Sequence, residues 1–352
     1  MTNTTTTKPR INKFDNLKGL AIILIVLGHA TFLTEYKSVS LIKNFVFIFH
    51  LPIFFFVAGY FSKIGPKEPM KAVKRILVPY LLFCIIYKIF LYFIIGKSSG
   101  ILFIEPEDTL WFLISLFTMK IFLPLLNKLK YPVLTTIILA LLVGFVPLNL
   151  VYLGITRTFV FLPVFMVGFK YKEYKNIFDY KYPKLKEILD NNKKSILLLI
   201  IALVICVLIA YSFPFKIIFL KRAYEFESNI GVMKEVIARF IIIAMGIIVT
   251  LLLNKVMTNR KSILTQIGKN SMAIYLLHFY FIMIIKTFLM PNVPILSTGG
   301  LIFLVFAFVS TGIIVLLLSR DVVTKYLNKF TDGVFNLVLK IINKFKKNPI
   351  EL

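Results

Sequence analysis

Two side chains set eleven residues apart, Lys18 and His29, are the first in this chain whose types and spacing suggest chemistry. Eleven residues of α-helix rise about 16 Å and complete close to three turns, so on one helix both point the same way. Asp15, three residues before Lys18, lies near the same line. An imidazole can exchange a proton or accept a transferred group, and a lysine can hold an anion as a point charge. The residues between them, Gly19-Leu20-Ala21-Ile22-Ile23-Leu24-Ile25-Val26-Leu27-Gly28, carry no polar side chain. A polar stripe on such a helix has to face protein or a water-filled cavity, because lipid offers neither charge nor imidazole a partner. The stripe reads as the wall of an active site.

Other candidates follow along the chain. His50 stands in Phe49-His50-Leu51-Pro52-Ile53-Phe54-Phe55-Phe56-Val57-Ala58-Gly59-Tyr60, at a depth that would let it face His29. Pro52 frees a backbone carbonyl one turn away, which favours a polar site there. Lys71, Lys74 and Arg75 precede Ile76-Leu77-Val78-Pro79-Tyr80. They read either as an ordinary cytoplasmic basic cluster or as a phosphate site, with Arg as a planar fork and Lys as a point charge. Trp111, the only tryptophan, and Arg157 stand at outer ends of apolar runs, where a membrane-interface anchor and a surface charge are the plain readings. His278 lies about two turns in from the opposite face, so three histidines at two depths predict no metal site. Cys84 and Cys206 sit inside apolar runs and suggest neither a disulfide nor thiol chemistry.

These side chains need a scaffold, and the composition says which kind. With 352 residues, 59% hydrophobic and 16% charged, the chain is predicted to be an all-α polytopic membrane protein. Apolar runs at 17–33, 45–61, 76–95, 110–126, 131–151, 156–170, 195–213, 236–253, 271–290 and 299–318 predict about ten transmembrane helices. The run at 156–170 is short and holds Pro163, so a bend is expected there. Alternating sides from a cytoplasmic N-terminus puts 30 Lys and Arg inside and 9 outside, which predicts N-in and C-in. The first sixteen residues are polar and no small-residue cleavage pattern follows, so the first run reads as an uncleaved signal anchor.

The net charge of +26 comes in bursts between apolar runs and fits topology and anionic lipid rather than nucleic acid. Residues 1–320 are expected to form one membrane domain. Residues 321–352 read as a basic amphipathic tail on the cytoplasmic leaflet, with Val322, Tyr326, Phe330, Val334, Leu337, Ile341 and Phe345 on its apolar face. None of the ten runs contains Asp or Glu, which argues against an ion-driven carrier. From the residues alone, an enzyme and a flippase or exporter of lipid-linked glycan stay equally open.

The chain resembles the membrane-bound acyltransferase family 3, most closely its fucose 4-O-acetylase-like branch. The resemblance rests on Asp15-Asn16-Leu17-Lys18-Gly19 through Gly28-His29, the 49–60 segment, Arg75 through Pro79-Tyr80, Leu110-Trp111-Phe112, the 157–168 segment, and Ser271 through His278. Where the family usually has arginine ahead of its first-helix histidine, this chain has Lys18, which keeps the charge and loses the fork. The first position of the family's Arg-x-x-Arg is Ala72 here.

The resemblance implies O-acyl transfer, commonly of acetyl from acetyl-CoA, onto a carbohydrate hydroxyl at the cytoplasmic membrane of a bacterium. No permanently bound cofactor is implied, and a homodimer stays open. In these terms His29 is the base or the transient acyl carrier, Lys18, Lys71, Lys74 and Arg75 hold the CoA phosphates, and His50, Trp111 and Arg157 contact the acceptor.

Overall fold

A computed structural model describes residues 11–34, 36–96, 109–146, 152–220, 223–224, 231–297 and 300–344. Among them every regular element is helical. In chain order these are α1 (Asn12–Leu33), α2 (Lys37–Tyr60), α3 (Glu68–Ile95), α4 (Trp111–Asn127), α5 (Pro132–Phe145), α6 (Ile155–Lys181) and α7 (Pro183–Asp190). Then come α8 (Asn192–Ser212), α9 (Phe215–Ile218), α10 (Val232–Val256), α11 (Ile263–Lys269), α12 (Ser271–Asn292), α13 (Gly300–Leu318) and α14 (Asp321–Lys344).

Seven helices, α1, α2, α3, α8, α10, α12 and α13, are long and apolar enough to cross a bilayer; α4 and α5 are apolar and shorter. All ten predicted runs fall on helices, although residues 147–151 and 299 lie outside the described residues. Helix starts carry familiar signals. Pro132 and Pro183 occupy first-turn positions, Asn191 caps α8 by accepting from Lys194 N, and Ser262 with Thr265 forms a capping box at α11.

Two boundaries differ from the sequence reading, each for a local reason. The run at 156–170 continues unbroken past Pro163 to Lys181, and the ion pairs Lys170–Glu173 (2.8 Å) and Lys175–Asp179 (2.5 Å) support its polar second half. The second span begins at Lys37 rather than 45, so Lys43 and Asn44 are helical and buried. Asn44 Nδ2 donates to the carbonyls of Ala210 (3.0 Å) and Phe213 (3.3 Å), and the Lys43 ammonium lies over the rings of Phe32 (5.1 Å) and Phe215 (4.8 Å). Lys120, which the sequence left unexplained, donates to Ser62 Oγ at 2.9 Å.

Helices α1 and α2 form the centre. Helix α2 packs against α6, α8 and α10, and α1 against α2, α11, α12 and α13. Two of these contacts bring backbone onto backbone. A Cβ on Gly59 would overlap the Phe165 carbonyl and one on Gly168 the Phe56 carbonyl, which locks α2 to α6. At the foot of α1 a Cβ on Gly268 would overlap the Asp15 carbonyl and one on Gly19 the Leu264 carbonyl. Asn16, fully buried, completes that joint. Its Nδ2 donates to the carbonyls of Thr258 (2.9 Å) and Arg260 (3.0 Å), and its Oδ1 accepts from Thr265 (2.6 Å) and Ser262 (3.1 Å). Two donors and two acceptor positions are all a side-chain amide has, so the group is fully satisfied.

The tail is amphipathic as expected. Helix α14 buries Thr331 and Phe335, pairs Asp332 with Lys74 of α3 (3.4 Å), and leaves Val322, Tyr326, Phe330, Leu337 and Ile341 uncovered, the face an interfacial helix offers lipid. Phe345 lies outside the described residues. Asp321 ties the start of α14 to the joint, accepting from Asn270 (2.9 Å) and Gln266 (3.0 Å) and pairing with Lys269 (3.2 Å).

Two outcomes follow from the joint. Gly268→Ala must push backbone apart and is expected to cost about 1–3 kcal/mol or more. Asn16→Leu removes four hydrogen bonds and takes the acceptor from the buried Thr265 hydroxyl, at roughly 1–3 kcal/mol for a buried group left unpaired. Both should lower the melting temperature of the detergent-solubilised protein by several degrees; a wild-type value for Gly268→Ala would contradict the contact. The Asp321 carboxyl is held below its ordinary value of 3.8, first by the Asn270 hydrogen bond and then by Lys269. A depressed acid stabilises above that value and loses the contribution as pH falls through the lower folded one. The protection of amides across 321–330, measured relative to the intrinsic exchange rate at each pH, should therefore be steady from about pH 7 down to about pH 4.5 and fall only in stronger acid; loss of protection near pH 6 would exclude this anchor.

Candidate active site

A cavity of about 650 Å³ opens at the C-terminal end of α1, and His29, His50, Trp111, Arg157, Tyr275 and Lys286 are among its lining residues. Four of the predicted site residues, His29, His50, Trp111 and Arg157, thus come together from α1, α2, α4 and α6. Burial orders most of this wall: His50, Trp111 and Arg157 are each less than 10% exposed, and His29 is half-buried.

Each side chain is placed by its own helix. His29 sits one residue before the end of the α-helical part of α1, and three phenyl rings fence its imidazole: Phe279 at 5.8 Å, Phe32 at 6.2 Å and Phe47 at 6.3 Å between centroids. Its Nδ1 is 2.9 Å from Nε2 of His278. His50 is anchored on its own helix, with Nδ1 2.7 Å from the Val46 carbonyl. The carbonyl that Pro52 frees, that of Ile48, is covered by Gly246 of α10 rather than turned to the cavity.

Arg157, in the first turn of α6, lies between two rings, its guanidinium carbon 4.3 Å from the Trp111 centroid and 4.0 Å from that of Phe219. The Thr158 and Ser115 hydroxyls, 2.7 Å apart, fix that turn to α4. Trp111 in turn stacks on Phe161 at 5.8 Å. The Tyr275 hydroxyl donates to the Thr109 carbonyl at the same wall.

The depth expected for His278 is corrected here: it meets His29 ring to ring, with centroids 5.1 Å apart and planes 22° apart. The reason lies in the glycine joint. Gly19 of α1 and Gly268 of α11 meet at the foot, and α12, which starts at Ser271 directly after α11, packs against α1 from there and brings the two imidazoles together. Counting α12 from a membrane boundary missed this because α11 packs on the foot of α1 and starts α12 already inside the bundle. Lys286, in the π-helical turn Ile285–Leu289, was likewise overlooked. A lysine inside the apolar run 271–290 was its only sequence signal.

The basic set predicted for phosphate does not line the cavity. Lys18 pairs with Asp15 (2.8 Å), Lys71 with Glu68 (2.7 Å) and Lys74 with Asp332 (3.4 Å), while Lys74 also lies 5.3 Å from the Phe335 ring and Arg75 is exposed. All four belong to the foot of α1 and the first turns of α3.

A family model described as an acyltransferase domain matches residues 11–320. The chain belongs to this acyltransferase family. Comparison with curated proteins and with solved structures finds no match. For a membrane acyltransferase the cavity offers an imidazole at the wall, an aromatic platform and, among the described lining residues, two cations, Arg157 and Lys286, and no carboxylate. Such a wall suits an anionic group or the charge that develops on a carbonyl oxygen during acyl transfer.

Because Trp111 is the only tryptophan, it reports on this wall directly. Arg157→Leu removes the cation from both rings, a loss of about 0.5–2 kcal/mol, and should shift the protein's tryptophan emission without changing its helical circular dichroism. Unchanged emission would place the guanidinium away from the indole.

Proposed function

We propose that the protein transfers an acyl group, acetyl by its resemblance to the fucose 4-O-acetylase-like branch, from acyl-CoA to a hydroxyl of a cell-surface or lipid-linked carbohydrate at the bacterial cytoplasmic membrane. The observation that carries this reading is the cavity that His29 shares with Trp111 and Arg157. An acceptor hydroxyl held there attacks the thioester carbonyl while His29 takes its proton. The C–S bond then breaks as the ester forms, and the proton returns to the departing thiolate to leave free CoA. In the second form of the same chemistry His29 accepts the acyl group first and passes it to the hydroxyl. Trp111 presents a flat apolar face for a sugar ring, and His50 and Arg157 supply hydrogen-bonding groups beside it.

The CoA phosphates are assigned to Lys18, Lys71, Lys74 and Arg75. Exposed ion pairs such as Lys71–Glu68 contribute only about 0–1 kcal/mol, so exchanging their carboxylates for phosphate costs little. From Lys18 to His29 the helix rises about 16 Å, a span suited to the extended arm that carries the thioester. The N-in, C-in arrangement expected from the Lys and Arg count supports a reading with the phosphates on the cytoplasmic side and the acceptor on the other.

Membranes containing the wild-type chain, given acetyl-CoA labelled in the acetyl group, are expected to pass label into glycan. His29→Ala should reduce this at least about 10²-fold, the usual contribution of a general base. Equal incorporation by both would remove His29 from the chemistry, and glycan export without any labelling would favour a flippase.

A further inference from the structure

We propose that His278 is a positioning residue that holds His29 in the tautomer with its hydrogen on Nδ1 and a bare Nε2 available to the substrate. The inference rests on the reading of His29 as the group that takes the acceptor's proton. Nδ1 of His278 lies 2.9 Å from the Tyr275 carbonyl and 3.0 Å from that of Ile274. A carbonyl can only accept, so that nitrogen carries a hydrogen. A neutral imidazole has one N–H, which leaves Nε2 of His278 as an acceptor.

Its neighbour at 2.9 Å is Nδ1 of His29, which must then donate. With its single hydrogen committed there, neutral His29 keeps a lone pair on Nε2. The reverse assignment would aim a lone pair of His278 at two carbonyl oxygens.

Ring geometry agrees with this assignment. The 5.1 Å centroid separation and 22° interplanar angle mean that the imidazoles meet edge to edge, close to one plane, as an in-line N–H···N bond requires. The Phe279 ring, 5.8 Å from His29 and 6.3 Å from His278, packs edge-on against both and restricts their rotation. His278 is fully buried, so water does not compete for its nitrogens. In outline this is the arrangement of a nucleophile-activating base and its orienting group, with a second imidazole and two backbone carbonyls in the place usually taken by a carboxylate.

The chain has only three histidines, which makes the tautomer measurable. Solid-state NMR of the full-length protein in bilayers, with ¹⁵N-labelled histidine, reads each ring nitrogen as protonated or bare. The signals lost in His29→Ala identify that residue. Expected for the wild type is a protonated Nδ1 and a bare Nε2 on His29.

In His278→Leu the acceptor is gone. His29 should move toward Nε2–H, and kcat for acyl transfer should fall about 10²-fold with KM little changed. In His278→Gln the amide oxygen again accepts from Nδ1, so both the His29 signal and most of kcat should return. A wild-type His29 protonated on Nε2 would overturn the proposal. So would His278→Leu with wild-type kcat, or loss of activity in both variants while the His29 signal stays as in wild type. Absence of acyl transfer by the wild type would instead sink the functional reading, and the NMR would still decide the tautomer.

Discussion

The structure depends on one contact, the meeting of α1 with α11 where neither Gly19 nor Gly268 can accept a β-carbon. Backbone proximity of this kind fixes not only the distance between two elements but also their relative height, because a helix advances about 1.5 Å per residue with little give. With α11 held there, α12 follows it directly, packs along α1 and brings His278 to His29. Asn16 makes the contact specific. Its amide satisfies four partners from the 258–265 segment, and a one-residue slip would leave the fully buried amide itself and the buried Thr265 hydroxyl without these partners.

Much of the molecule was legible in the sequence because its signals are local. Apolar length, charge bursts and the amphipathic repeat of the tail each concern neighbours in the chain, and the helical membrane fold follows from them. His29, His50, Trp111 and Arg157 were legible as candidates because polar or aromatic groups at such depths need partners. The three missed features are of another kind. Lys43 lies over Phe32 and Phe215, Lys120 on Ser62, and His278 on His29. Each pairing joins separate helices, and hydropathy carries no record of which helices touch. The clues present were small: a Ser262-Ile263-Leu264-Thr265 capping box and Gly268 after it announce a short helix before α12, and so a start inside the bundle.

The two groups of basic residues differ in what surrounds them. At the foot of α1 and α3, lysines are paired with carboxylates in places that water reaches, where salt screens the attraction and partners exchange readily. At the cavity, Arg157 is held between Trp111 and Phe219. Removed from bulk water, its charge is screened far less and acts on whatever enters. The first arrangement fits reversible capture of a charged handle, and the second fits a fixed field at a reacting carbonyl. One polypeptide places them at opposite ends of the same helix.

The absence of Asp and Glu from the ten apolar runs bears on how a base can be oriented inside a bilayer. A carboxylate beside His29 would keep a net negative charge at the site through the whole resting state, and burying an unpaired charge costs several kcal/mol even after relaxation. An imidazole backed by two carbonyls of its own helix does the same orienting task with every group neutral. Those carbonyls, of Ile274 and Tyr275, are supplied by the α12 backbone itself, so no additional polar side chain has to be buried. On the proposed mechanism the pair itself becomes charged only when His29 takes a proton. At that moment the departing thiolate or the tetrahedral oxygen carries the opposite sign beside it, and Arg157 and Lys286 lie in the same wall. The His29–His278 pair thus adds no charge of its own to a wall that already holds Arg157 and Lys286, which suits chemistry held between helices rather than in water.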